Sequence, residues 1–259
     1  MFFKQFVVAA VAAITSPCVF ADFVAVDLSA KINADIRSYT GGISYPLGGQ
    51  TLSFGSVPFT LGLLNGSTTT LGAVQLPGNG QPTVHSFPVN IAGATRLYTL
   101  INSTWGVYGV TNGKIEVFGT NGAYASFSLV QGFNIRDHYQ GNFQNIINDS
   151  TVVSTGYASG ARLDRQVLEL PAAFDGQVVT ELRFQGTGLN PSGAAFLAGA
   201  TFETVDSCPA DFDHNGAVGA SDLAILLGAW GTANADLDND GTTTASDLAF
   251  VLGAWGPCP

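Results

Sequence analysis

Asp211-Phe-Asp-His-Asn-Gly-Ala-Val-Gly-Ala-Ser-Asp222 and Asp236-Leu-Asp-Asn-Asp-Gly-Thr-Thr-Thr-Ala-Ser-Asp247 are one segment written twice, 25 residues apart. The match runs on into Leu223-Ala-Ile-Leu-Leu-Gly-Ala-Trp-Gly231 and Leu248-Ala-Phe-Val-Leu-Gly-Ala-Trp-Gly256. A repeat held in register over so many positions marks a duplicated structural unit, here an acidic loop leading into a short apolar helix.

The spacing inside each loop has a chemical sense. Oxygens at loop positions 1, 3 and 5, a backbone carbonyl at 7 and a carboxylate at 12 can converge on one hard cation, while glycine at 6 makes the sharp turn. The first loop supplies Asp211, Asp213, Asn215, the carbonyl of Ala217, and Asp222. The second supplies Asp236, Asp238, Asp240, the carbonyl of Thr242, and Asp247. An all-oxygen set selects Ca²⁺ over softer metals, and two ions are expected. With four carboxylates against three, the second loop should bind more tightly. One such loop could be a solvated acidic turn, but two in register, each closed by Asp, favour the metal. Without the ion the carboxylates repel one another. With it the loops close, and Leu223, Leu226 and Trp230 of one unit and Leu248, Val251 and Trp255 of the other can form an apolar seam at helical spacing.

This loop-helix pair, without the entering helix of a full EF-hand and with Asp closing each loop, resembles a type I dockerin. The likeness covers residues 208–258. It implies a small all-α module with two loop-helix (F-hand) calcium motifs. It also implies docking to a cohesin-like or other surface or scaffold protein through residues 206–259. The chain departs from the family where dockerins that bind cohesins carry a Ser/Thr pair and basic residues. It has Ala220-Ser221 and Ala245-Ser246, then Leu227-Gly228 and Leu252-Gly253.

The chain is 259 residues long, with only 11% charged residues and a net charge of −10. From Asp206 onward there are eight Asp and no Lys or Arg, whereas residues 22–205 carry eleven acids and eight bases. The acidity is therefore concentrated on the metal loops, and nothing basic invites nucleic acid. Met1-Phe-Phe-Lys4 and the apolar run Gln5–Ile14 read as a secretory leader over residues 1–21, cleaved near Ala21. The run is too short to span a bilayer, and no membrane span is expected in the mature chain. The protein is then secreted, or held at the surface or in the periplasm of a bacterium. Cys208 and Cys258 bracket the repeat, and in an oxidising compartment they should form a disulfide clasping its ends.

Residues 22–205 alternate strand-like runs with Gly, Asn and Pro turns. Strands are expected at Thr51–Phe54, Pro58–Leu61, Thr83–Val89, Arg96–Ile101, Lys114–Phe118, Tyr124–Val130, Gln166–Glu169, Val178–Phe184 and Ala194–Phe202. The alternation from Lys114 through Phe127 reads as a hairpin about Thr120-Asn-Gly122. The fold expected is mainly β, a jelly-roll or galactose-binding-like β-sandwich followed by the small helical module. Ser44-Tyr-Pro46, Val57-Pro-Phe59, Arg96–Gly106, Gly132–Asp137 and Leu163–Pro171 are similar to pieces of carbohydrate-binding-module-type jelly rolls. That likeness implies polysaccharide as a ligand of residues 22–205.

Arg136-Asp137-His138-Tyr139 together with Trp105 is the best candidate ligand site, since aromatic faces stack on sugar C–H faces and Arg and Asp direct hydrogen bonds. The competing reading buries Trp105 in the core and pairs Arg136 with Asp137 at a strand end. The sequence favours it, because a buried Trp is common in sandwiches. Nothing marks a catalytic constellation: no Gly-x-Ser-x-Gly elbow, no His cluster, and no marked pair among Glu116, Glu169, Glu181 and Glu203. The leading reading is a non-catalytic binding or structural protein tethered by a calcium-folded tail. The alternative is an enzyme or accessory subunit of extracellular polysaccharide degradation.

Overall fold

The structure, a computed structural model, describes residues 21–40, 45–78, 82–139, 141, 143–147, 153–157, 160–186, 193–205, 208–213 and 215–258. The expected leader lies outside these, except that Ala21 opens the first strand. The chain divides into two compact units, Ala21–Val205 and a second one holding Asp206–Pro259.

The first unit is built of antiparallel sheets. The larger sheet contains β10 (Val153–Gly156), β11 (Arg162–Glu169), β7 (Ala94–Thr104), β13 (Ala194–Val205), β5 (Gly72–Gln75) and β2 (Ala34–Asp35) in that order. β1 (Ala21–Ala25) pairs with the C-terminal half of β13. The smaller sheet runs β6 (Thr83–Ala92), β12 (Val178–Gly186), β8 (Thr111–Gly119), β9 (Tyr124–Val130). A separate hairpin joins β3 (Thr51–Phe54) to β4 (Val57–Thr60). Each of the nine expected strands overlaps one found here, while β1, β2, β5 and β10 were not anticipated.

The main core lies between the two sheets. Leu97, Ile101, Leu197 and Phe202 from the larger sheet meet Phe87, Ile115, Leu182 and Phe184 from the smaller one, the layering expected of a β-sandwich. A second core covers the opposite face of the larger sheet, where Phe54, Val57, Phe59 and Leu61 of the β3–β4 hairpin and its end pack on Leu100, Leu163 and Phe196. β13 is therefore buried on both faces, which explains its almost unbroken apolar run. Ala195 and Leu197, then Ala200 and Phe202, face the main core, so the two-residue alternation slips by one between them. The slip coincides with a register irregularity against β7 between Leu197 and Gly199. A Cβ at Gly199 would meet Phe59 Cδ1 at 3.0 Å, a tight contact that glycine avoids.

The β8–β9 hairpin follows its sequence pattern. Ile115 and Val117 point inward opposite Phe127 and Ala125. Asn121 and Gly122 take left-handed conformations, φ 53° and 79°, as Asn-Gly turns favour.

In the second unit, α1 (Ala220–Gly228) and α2 (Ala245–Gly253) each follow one acidic loop. Leu226 and Val251 are fully buried in a small core with Ala210, Val218, Ala235 and Leu237, and Leu223 and Leu248 pack against it. Trp230 and Trp255 depart from the expected seam: they are 47% and 50% exposed. The two repeats embrace reciprocally. β14 (Ala217–Val218) in the first loop pairs with β15 (Gly256–Pro257) after α2. Thr243, equivalent to Val218, exchanges hydrogen bonds with Gly231 and Thr232 after α1. Cys208 and Cys258 form the expected disulfide, with Cα atoms 5.6 Å apart.

Gly199→Val tests the slip in β13. Overpacking against Phe59 should cost about 1–3 kcal/mol, read as a lower urea midpoint for the first unit with unchanged slope. A midpoint equal to wild type would show that the strand relaxes around the side chain.

Candidate functional sites

β7 and β11 pair only up to Leu100 and Arg165; beyond that point residues 136–139 enter between them. Ser103 donates its N–H to the Arg136 carbonyl at 2.9 Å, His138 donates to the Ser103 carbonyl at 2.9 Å, and Arg162 donates to the His138 carbonyl at 2.8 Å. The inserted segment carries the charged residues singled out from the sequence into the interior.

There, the expected Arg136–Asp137 pair does not form. Arg136 instead makes a two-pronged bond with Asp164, 2.7 Å and 2.9 Å, and Asn102 donates to the same carboxylate at 2.9 Å. Period-two alternation explains the partner, because Arg162 and Asp164 flank Leu163 and share a face of β11. A buried two-pronged pair of this kind is satisfied only while both members remain. Arg162 donates to the carbonyls of Asp137 and Tyr139, at 3.0 Å and 2.9 Å. Burial, then the neighbouring Arg136, pull its pKa below the usual guanidinium value.

Asp137 is freed from an ion pair and accepts two backbone N–H groups, from Trp105 at 2.6 Å and Tyr139 at 2.7 Å. The bond to Trp105 has a consequence for the aromatic ring. Trp105 directly follows β7 with φ 61°, a conformation a bulky side chain rarely adopts. Its indole is 67% exposed, not in the core, and stands edge-to-face with Phe143, the centroids 6.0 Å apart. An outlier held by a buried carboxylate and presenting a large ring to solvent is a functional signature.

Trp105 stands on the wall of a cleft of about 600 Å³ at the end of the larger sheet. Tyr39, Tyr139 and Phe143 add aromatic surface, and Gln75, Thr104, Asp137 and His138 add polar atoms. Tyr39 donates to Gln75 at 2.6 Å, Gln75 donates to Thr104 at 3.3 Å, and Tyr139 donates to the Tyr39 carbonyl at 2.6 Å. His138 is almost wholly buried and shares a 2.7 Å hydrogen bond with Tyr45. Burial holds its pKa below the ordinary imidazole value, the nearby Asp137 opposing this and Arg162 reinforcing it. Of the five candidate residues, Trp105, Asp137, His138 and Tyr139 line the cleft, while Arg136 lies beneath and braces it. Tyr39, Gln75, Thr104 and Phe143 were not anticipated.

The acidic loops of the second unit repeat at the level of hydrogen bonds. Asn215 N–H bonds Asp211 and Asp213, Gly216 bonds Asp211, Ala217 bonds Asn215, and Gly219 bonds Asp222. The same five bonds recur 25 residues on, from Asp240, Gly241, Thr242 and Thr244 to Asp236, Asp238, Asp240 and Asp247. Gly216 and Gly241 turn with φ 89° and 96°. Carboxylate oxygens of Asp211, Asp213 and Asp222 lie within 4.8 Å of one another, as do those of Asp236, Asp238 and Asp240. Oxygens ligating one Ca²⁺ at about 2.3–2.6 Å can be no farther apart than roughly 5 Å, so both groups fit one coordination shell. Asp222 and Asp247 are fully buried at the first turns of their helices. For Asp247, burial pushes the pKa up, but N–H groups of Thr244, Leu237 and Asp238 outweigh it and leave the carboxyl below its usual value. On the outward helix surface Leu227 and Leu252 match Trp230 and Trp255 as a second duplicated pair, all about half exposed.

The glutamates weighed for catalysis are all taken up in ion pairs. Glu116 pairs with Lys114, Glu169 and Glu203 with Arg96, and Glu181 with Arg183. Among the described residues no helix is long and apolar enough to cross a membrane. No protein-family model matches the chain, and no curated protein matches it.

His138 gives a test by pH. Its depressed folded pKa means that its stabilisation is complete above the unfolded value of about 6.5 and is lost as pH falls below it. The urea midpoint of the first unit should fall more between about pH 7 and pH 5 in wild type than in His138→Gln. Equal losses in both proteins would remove His138 from the buried network's titration.

Proposed function

We propose that this is a secreted, non-catalytic binding or structural protein. Its dockerin-like tail folds around two Ca²⁺ ions and tethers the chain to a cohesin-like or other surface or scaffold protein. The first unit, taken as a galactose-binding-like jelly roll, offers its Trp105 cleft to carbohydrate. The observation that carries the tail is the recurrence, bond for bond, of one loop geometry at an offset of 25 residues. A single acidic turn needs no such repetition. Two loops that gather three carboxylates each within 4.8 Å would be stabilised by a shared counter-charge. Two unit charges that close repel by roughly 3 kcal/mol at an effective dielectric of 20. Asp211, Asp213, Asn215 and Asp222 with the Ala217 carbonyl would hold one ion, and Asp236, Asp238, Asp240 and Asp247 with the Thr242 carbonyl the other. The duplicated Leu227/Trp230 and Leu252/Trp255 pairs support a docking role, being apolar, exposed and set at the C-terminal ends of the two helices, each Leu in the last turn and each Trp just beyond it.

Titration of the full mature chain with calcium, followed by calorimetry and tryptophan fluorescence, tests the reading. Two ions should bind, and the tail's thermal transition should rise with calcium and fall on chelation. The second loop should fill first, and Asp236→Ala should weaken that step by at least about tenfold while sparing the other. No binding and no change in transition at millimolar calcium would sink the proposal.

A further inference from the structure

We infer that the Trp105 cleft selects an uncharged sugar residue over uronic, sulfated or amino sugars; this rests on the reading of the cleft as a carbohydrate site. The argument lies in where the charges have gone. Four formal charges, Arg136, Asp137, Arg162 and Asp164, lie at or behind the cleft, and all are almost fully buried. Each is already committed. Arg136 spends its fork on Asp164, Arg162 donates to the carbonyls of Asp137 and Tyr139, and both oxygens of Asp137 take backbone N–H groups.

Among the described lining residues there is no Lys or Arg. A carboxylate or sulfate entering the cleft would lose water beside Asp137 without gaining a counter-charge, which is costly. A protonated amine would find Asp137 engaged, and turning that carboxylate outward would release Trp105 and Tyr139 from the positions it fixes. Burial keeps His138 uncharged near neutral pH, so it offers no cation either.

Apart from Asp137, whose oxygens already hold backbone N–H groups, the described lining is uncharged and offers both acceptors and an amide donor. The Tyr39 and Tyr139 hydroxyls each donate once within the wall at 2.6 Å and keep acceptor lone pairs, and the Gln75 amide, which accepts from Tyr39 and donates to Thr104 at 3.3 Å, keeps a second N–H and a second lone pair. Hydroxyl groups, which both donate and accept, fit that lining. The Trp105 ring, mostly bare and held at φ 61°, supplies the flat apolar surface for a sugar's C–H face. The volume of about 600 Å³ suits a short glycan segment.

The experiment is calorimetric titration of the calcium-loaded full chain with neutral hexasaccharides of glucose, xylose and mannose, and in parallel with oligogalacturonate, a sulfated oligosaccharide and a glucosamine oligomer. Trp105→Gly is the control, because glycine accepts the left-handed backbone and leaves the Asp137 bond in place. At least one neutral oligosaccharide should bind, each charged one at least about tenfold more weakly, and Trp105→Gly should weaken the best binding at least about tenfold. A charged sugar bound as tightly as the best neutral one, and lost in Trp105→Gly, would overturn the selectivity and leave the carbohydrate site standing. Binding that survives Trp105→Gly, or no binding of any sugar by a protein with a normal thermal transition, would overturn the site itself.

Discussion

A carboxylate withdrawn from water must be met by donors, and the cheapest donors in a folded chain are backbone N–H groups. Both units are arranged around that constraint. In the first, Asp137 sits almost fully buried and gathers the N–H groups of Trp105 and Tyr139, residues 34 positions apart. In the second, Asp222 and Asp247 are fully buried and tie each loop's start to the first turn of its helix. In each case the side chain that stays out of solvent decides the posture of the groups that face it.

The same constraint has opposite outcomes for preorganisation. Around Asp137 the network closes on itself: Arg136 with Asp164, Arg162 with carbonyls, Tyr45 with His138. The cleft's buried charges are consequently held by partners within the fold. In the acidic loops the carboxylates are instead gathered together. The backbone N–H groups satisfy some oxygens, but three carboxylates remain crowded at each loop. Under the proposal above, a bound cation would answer that crowding in both loops at once, because the geometry that gathers the carboxylates repeats.

How far the sequence carries the reading depends on the distance over which the information is encoded. The acidic loops are local: their oxygens, turn glycines and helix starts lie within a dozen residues, so spacing alone indicates the set. Hairpins such as Lys114–Phe127 are nearly as local, and their alternation is visible. β2 and β5 are only two and four residues long, and they exist through long-range pairing that no short window can display. The cleft is harder still. Tyr39, Gln75, Thr104 and Phe143 come from four separate parts of the chain, brought together where the larger sheet ends. Arg162 and Asp164, two residues apart in a β-strand, share one face by period-two alternation, but in Arg162-Leu-Asp-Arg-Gln-Val-Leu-Glu169 they are two charges among four and do not stand out. The pairing of Asp164 with Arg136 carried no signal either, because it required knowing that residues 136–139 insert beside β11. Trp105 was drawn toward the core by the general habit of tryptophan in sandwiches, and the buried carboxylate that holds it outward lies 32 residues away.

The charge of −10 likewise has to be apportioned by unit before it means anything. The first unit contributes −3, and five of its eleven carboxylates stand in ion pairs: Glu169 and Glu203 with Arg96, Glu116 with Lys114, Asp164 with Arg136, and Glu181 with Arg183. Little field is left there to steer a charged ligand, in keeping with a cleft of hydroxyls and aromatic rings. The tail carries eight Asp and no Lys or Arg, and seven of those eight lie within the two loops. Its acidity is thus a property of two small volumes, not of a surface. Two divalent ions would remove four of those eight charges, leaving the exposed Leu227, Trp230, Leu252 and Trp255 as a larger part of what the tail presents. In the proposed tail the ion would thereby do two things in one step, ordering the helices that carry Leu227 and Leu252 and lead into Trp230 and Trp255, and lowering the charge that would keep an apolar partner away.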